Sequence, residues 1–151
     1  MRLYKFVPAL LVASAALWAA DPFVGRWKLN VEKSDFGNMP KVKSGSTTYE
    51  ADGTGYMYTA EIVFGEEDEV ARLQNPVEFN GTAHEGHLDQ RRVTFLSNKI
   101  NDDSYEVVFS DQQTSKVVQR FRYTVIGNEL TWNWFNGVDQ RPAITMVYDK
   151  Q

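Results

Sequence analysis

Apolar and polar residues alternate one by one along much of this chain, and that period restricts it to β-structure. Tyr56, Tyr58, Ala60, Ile62 and Phe64 interleave with Met57, Thr59, Glu61 and Val63; further on, Val117, Phe121, Tyr123 and Val125 interleave with Lys116, Arg120, Arg122 and Thr124. Successive side chains of a strand point to opposite faces, so each run has one face for a core and one turned away from it. The residues are also of the kinds that suit a pleated surface: Val, Thr, Tyr, Phe and Trp. Turn chemistry separates the runs at Asp52-Gly53, Asp102-Asp103, Asp111–Thr114, Gly127-Asn128 and Asn136-Gly137. Gly127-Asn128 reads as a two-residue hairpin, because glycine reaches the positive φ that such a turn requires.

This pattern predicts about nine strands, near 24–30, 45–51, 55–64, 76–80, 91–98, 104–110, 115–126, 129–135 and 142–149. Glu66–Asn75 opens with Glu66, Glu67, Asp68 and Glu69 and reads as a solvated loop; Asn80–Asp89, with Gly81 and Gly86, reads as a loop between strands. Short strands joined by short turns imply an all-β fold, an antiparallel up-and-down β-barrel. Closure of the barrel would remove the two free edges of an open sheet. A two-sheet β-sandwich satisfies the same pattern.

Ahead of the strands, Met1–Lys5 carries Arg2 and Lys5, and an apolar run from Phe6 to Ala20 ends at Asp21-Pro22. A basic start, a short apolar middle and small residues before a break form the layout of a cleavable secretory signal. The run is shorter than the roughly 18 residues a membrane span needs. The expected organisation is therefore a leader at 1–20 and a single β-domain at 21–151, exported to the periplasm or the cell exterior, with no stable membrane anchor. Without Arg2 and Lys5, fourteen basic residues face twenty acidic ones, a net charge of −6. That balance disfavours nucleic acid and anionic membrane surfaces. The chain contains no cysteine, which excludes thiol catalysis, cysteine-ligated metal and disulfide support.

Gly25-Arg26-Trp27-Lys28-Leu29-Asn30, at the first expected strand, resembles the Gly-x-Trp opening strand of the calycin superfamily, the lipocalins and fatty-acid-binding proteins. The resemblance implies that Gly25 lets the chain turn in tightly and that Trp27 plugs the closed end of a barrel. With Glu32–Phe36 and the closing Val147-Tyr148-Asp149-Lys150 included, the chain is similar to uncharacterised exported bacterial lipocalin-like proteins. In fatty-acid-binding proteins an Arg-x-Tyr pair on the last strand holds the ligand carboxylate, and two helices after the first strand form a lid. Here Tyr148 matches, Met146 stands in place of the arginine, and Val31–Ser46 has no helical period.

The candidate ligand-binding residues are Trp132, Trp134, Tyr148, Met146, Arg120 and Arg122. Trp132 and Trp134 are two apart, so both indoles share a face, either as a pocket wall or as core. Arg120 and Arg122 also share a face: inside a barrel they would hold an anionic head group, and outside they would meet water, or one would pack across Trp27. His84 and His87, with Glu85 and Asp89 nearby, form the sole candidate metal pair, and their spacing is not that of a zinc-protease helix. No nucleophile frame or acid–base pair stands out. The expected function is a secreted, non-enzymatic module binding a small apolar or amphipathic ligand, without a cofactor. The alternatives are an envelope or extracellular interaction protein or inhibitor whose barrel is filled by side chains, and a metal-assisted enzyme using His84 and His87.

Overall fold

A computed structural model describes residues 20–151; the expected leader, through position 19, lies outside the described residues. Ten antiparallel strands follow one another: β1 (Gly25–Asp35), β2 (Val42–Asp52), β3 (Gly55–Phe64), β4 (Glu69–Val77), β5 (His84–Leu88), β6 (Arg91–Asn101), β7 (Ser104–Asp111), β8 (Val117–Ile126), β9 (Glu129–Asn136) and β10 (Ile144–Lys150). They form one sheet in the order β4-β3-β2-β1-β10-β9-β8-β7-β6-β5. Each strand pairs with its chain neighbours, and β10 returns to β1, as an up-and-down meander requires.

Three expectations change. Glu69–Val77, expected mostly as loop, is a strand paired with β3 from Tyr56↔Val77 to Phe64↔Glu69. His84–Leu88, also expected as loop, pairs with β6. Both are edge strands with weak alternation, and their acidic, glycine and histidine content hid them. Closure is also incomplete: β4 and β5 are the two ends of the sheet, with no ladder between them. The result is a half-barrel, its two ends joined by residues 78–83.

The two ends of this half-barrel differ because of their turns. At one end, Gly53-Thr54, Asp102-Asp103 and Gly127-Asn128 are two-residue hairpins, with Gly53 and Gly127 at φ 58° and 60°. These tight turns bring the strands together. At the other end, the connections 36–41, 65–68, 112–116 and 137–143 are longer and leave the mouth wide, with Asp89-Gln90 the one two-residue turn there; at the closed end the exception is the six-residue link 78–83. Residues 36–41 carry Phe36 and Met39 against the core but form no helix, so among the described residues no helical lid crosses the mouth.

The pinched end is filled with aromatic rings. Trp27 is 0% exposed, and its indole Nε1 donates to the Phe23 carbonyl at 2.9 Å. Lys150 Nζ, from the last strand, lies 5.0 Å from the centre of the Trp27 ring. A cation over an indole face is attractive by about 0.5–2 kcal/mol. The basic residue across Trp27 is thus Lys150, rather than Arg120 or Arg122. Gly25, beside the Lys150 chain, has φ 135°, a backbone angle that favours glycine there.

Phe23 packs at 5.2–5.6 Å on Tyr49, Tyr56 and Tyr105. Asp21 fixes this segment by accepting the Phe23 N–H at 2.9 Å and the Tyr56 hydroxyl at 2.8 Å. Deleting a buried aromatic side chain costs transfer free energy plus a cavity, about 3–5 kcal/mol. Phe23→Ala should therefore lower unfolding stability by about that amount in urea denaturation of residues 21–151. A loss below about 1 kcal/mol would show that Phe23 does not hold the closed end.

Candidate functional site

Above the aromatic plug, the inward faces of the strands leave an apolar cavity of about 330 Å³. Tyr58, Leu73, Asn75 and Val77 line it from β3 and β4; Val93, Phe95 and Ser97 from β6; Val107, Phe109, Gln119, Phe121 and Tyr123 from β7 and β8. A second hollow of about 240 Å³ continues past Tyr58, Leu73, Phe121 and Tyr123 to Ala60, Ile62, Trp132, Met146 and Tyr148. The four shared residues make the two hollows lobes of one lumen. The main lobe alone falls in the range of small-molecule pockets, roughly 300–1,000 Å³. Leu73, on the edge strand, is 49% exposed, so the wall beside the gap is an apolar side chain open to water. A wider hollow of about 550 Å³ lies over the outer face of β1–β3 against Arg26, Lys28, Ser44, Ser46 and Glu61. Its polar lining gives an apolar ligand little to bury against.

Strand register explains which expected residues meet. Trp132 lies opposite Met146 and Tyr123; Tyr148 lies opposite Leu130 and Leu29. Trp132, Met146 and Tyr148 thus form one inward patch. Trp132 also packs on Phe121 at 5.1 Å. Trp134 shares their face and meets Phe121 edge-on at 6.3 Å; it lines neither lobe, and its buried indole N–H has no acceptor among the described residues.

Arg120 and Arg122 stand on the other face of β8. Both lie over the Phe135 ring, at 4.7 and 5.3 Å. Arg122 binds Glu106 in a two-pronged contact of 3.0 and 2.8 Å, and Arg120 donates to the carbonyls of Gly137 and Asp139. Neither reaches the lumen, because Phe121 and Tyr123 occupy the inward positions of that strand.

The two histidines also part. A spacing of three along a strand puts side chains on opposite faces, so His84 and His87 cannot converge on one ion. His84 stacks on Phe95 at 5.5 Å, with Nε2 3.2 Å from Glu78. Among the described residues, no three His, Asp or Glu side chains cluster to hold a metal.

Alternation alone places Tyr58, Phe121 and Tyr123 inward. The rest of the lining, from Leu73 to Phe95, was not nominated because β4 and β5 were not recognised as strands and β6 and β7 were not searched for wall positions.

The buried phenols give the core its electrostatic character. Tyr49 and Tyr105 hydrogen-bond through their hydroxyls at 2.8 Å, and Tyr105 stacks on Tyr123 at 4.6 Å. Burial pushes the pKa of Tyr49, Tyr105 and Tyr123 well above 10, and that of Tyr58, Tyr56 and Tyr148 upward for the same first reason. The Asp21 contact adds to the rise at Tyr56.

By backbone geometry, the chain is similar to a Schistosoma mansoni fatty acid binding protein in complex with arachidonic acid, with TM-score 0.62 and 18% identity over 86% of this chain and 96% of that one. It is also similar to Echinococcus granulosus fatty-acid-binding protein 1, with TM-score 0.56 and 20% identity over 85% and 97%. A secretory abundant heat soluble protein from Ramazzottius varieornatus matches with TM-score 0.57 and 11% identity over 89% and 98%. No family model matches the sequence, and no curated protein matches it. At these identities the likeness establishes the fold, which is the calycin fold of fatty-acid-binding proteins.

Because the folded pKa values exceed the unfolded value near 10, the folded chain retains protons that the unfolded chain has released. Stability is therefore full below pH 10 and falls as pH rises past it. Residues 21–151 contain six tyrosines, all of them among these raised groups. Absorbance at about 295 nm, where phenolate absorbs, should stay flat through pH 11 and rise only in the step that unfolds the chain. A gradual rise centred on pH 10 in folded protein would contradict the burial described.

Proposed function

We propose that the protein is a non-enzymatic binding module that takes a small apolar or amphipathic molecule into the lumen of its half-barrel. The observation that carries this reading is the two-lobed lumen, lined by aromatic and aliphatic side chains with few polar groups, above a closed end and below a mouth that no helix of the described residues crosses. A cavity of this size argues against the alternative in which side chains fill the barrel. The separation of His84 and His87 removes the basis for a metal-assisted enzyme. The similarity to fatty-acid-binding proteins agrees with this reading.

Export belongs to the same proposal. Among the described residues, Asp21, the residue after the expected cut, is the first to be tied into the fold, through Phe23 and Tyr56. A leader ending at Ala20 would leave the contacts of Asp21 with Phe23 and Tyr56 intact. Expression of the full chain in a secreting host should yield a protein whose intact mass begins at Asp21; a retained Met1 would exclude a cleaved leader.

Occupancy is tested by blocking the lumen. Ser97 is half-buried and lines the main lobe. Ser97→Phe should weaken binding of the neutral dye Nile red at least about tenfold, since a ring there removes volume the ligand needs. Urea denaturation confirms that the variant is folded. Unchanged dye affinity in folded Ser97→Phe would place binding outside the lumen.

A further inference from the structure

We infer that the lumen selects an uncharged amphiphile, such as a long-chain alcohol, ketone or ester, and rejects the corresponding carboxylate anion. This rests on the binding-module reading and concerns the same cavity. Its ligand class follows from where the charges lie. In the main lobe, every polar side chain other than His87 is neutral: phenol hydroxyls, Asn75, Ser97 and Gln119. His87 itself sits on the outward register of β5, between the inward-facing Gly86 and Leu88. In the second lobe, the one charged residue is Arg72. It stands directly across from Glu61 on the outer register and binds it through Nε at 2.8 Å.

Arg91, on the inward register of β6 at the mouth, faces Asp111 of β7 at 3.6 Å, and three further cations are committed elsewhere. Arg120 and Arg122 are held on the outer face by Glu106, Phe135 and the 137–139 carbonyls. Lys150 lies on Trp27 beneath the plug. On the last strand, the inward position that could meet a head group is Met146, 1% exposed, and the Tyr148 hydroxyl donates to its sulfur at 3.4 Å. A carboxylate entering this space would lose its water and gain no counter-charge, a cost that buried anions rarely recover. A hydroxyl or carbonyl loses less on desolvation, and Asn75, Ser97 and Gln119 can satisfy it with neutral hydrogen bonds. The donors suit one neutral polar end; the aromatic walls suit an apolar body.

The test compares ligands matched in length and different in charge. Purified residues 21–151 are loaded with Nile red and titrated with 1-dodecanol and with dodecanoate at pH 8, the alcohol below its solubility limit and the soap below its critical micelle concentration. The alcohol should displace the dye at a concentration roughly 100-fold lower than the acid, the size expected when an unpaired charge must be buried. In Gln119→Lys, which puts a cation on the half-buried lumen wall, dodecanoate should gain roughly tenfold while the alcohol does not. Equal displacement by acid and alcohol in the unaltered protein would overturn the selectivity and leave the binding module standing. Displacement by neither, or failure of Nile red to bind, would overturn the binding-module reading and this inference with it. An acid that binds the unaltered protein tightly and gains nothing in Gln119→Lys would show that the lumen already holds a cation, and an acid that binds both weakly would overturn the missing counter-charge as the cause of its exclusion.

Discussion

The closed end of the sheet depends on one interaction: Trp27, fully buried, clamped between the Phe23 carbonyl and the Lys150 ammonium. It ties the first strand to the last where β1 pairs with β10, inside the sheet and away from its two free edges. Phe23 extends that plug into the ring cluster of Tyr49, Tyr56 and Tyr105. With no cysteine to cross-link the chain, this aromatic packing is what gives a single-layer, curled sheet a core at all. The plug takes up the space at one end. At the other end the wider turns hold the strands apart, and the volume that remains between them is the lumen.

The same arrangement explains why the sheet tolerates an open seam. β4 and β5 present unpaired edges, a hazard that natural sheets blunt with charge, proline and short strands. β4 carries Glu69, Arg72 and Pro76, and β5 is five residues long. These features guard the edges without closing them. The seam leaves Leu73 half in water beside the main lobe, a second way into the lumen besides the mouth.

Much of this was legible in the sequence, and what was not has definite causes. The alternation of Tyr56–Phe64 and of Val117–Val125 fixes both the strands and their inward faces, because period two survives wherever one face is buried. Gly25 and Trp27 mark the first strand because a positive φ and a fully buried indole leave little choice of residue. Glu69–Val77 and His84–Leu88 did not announce themselves, since an edge strand beside an open seam buries little and so has little reason to alternate. Trp132, Met146 and Tyr148 came together as a wall because β9 and β10 are in register. Arg120 and Arg122 faced a question that one strand cannot answer; Glu106 and Phe135, on the neighbouring strands β7 and β9, decide it by holding both on the outer face.

The central claim is that a ligand enters the lumen and touches its wall. Residues 21–151 contain three methionines in three settings: Met146 on the lumen wall, Met57 on the outward register of β3, and Met39 in the connection at the mouth. With methyl-labelled methionine, titration with a neutral amphiphile followed by carbon–proton NMR reports each setting separately. The account predicts that the Met146 methyl shifts in a saturable manner while the Met57 methyl stays where it is. A saturable shift of Met57 with Met146 unmoved would contradict it.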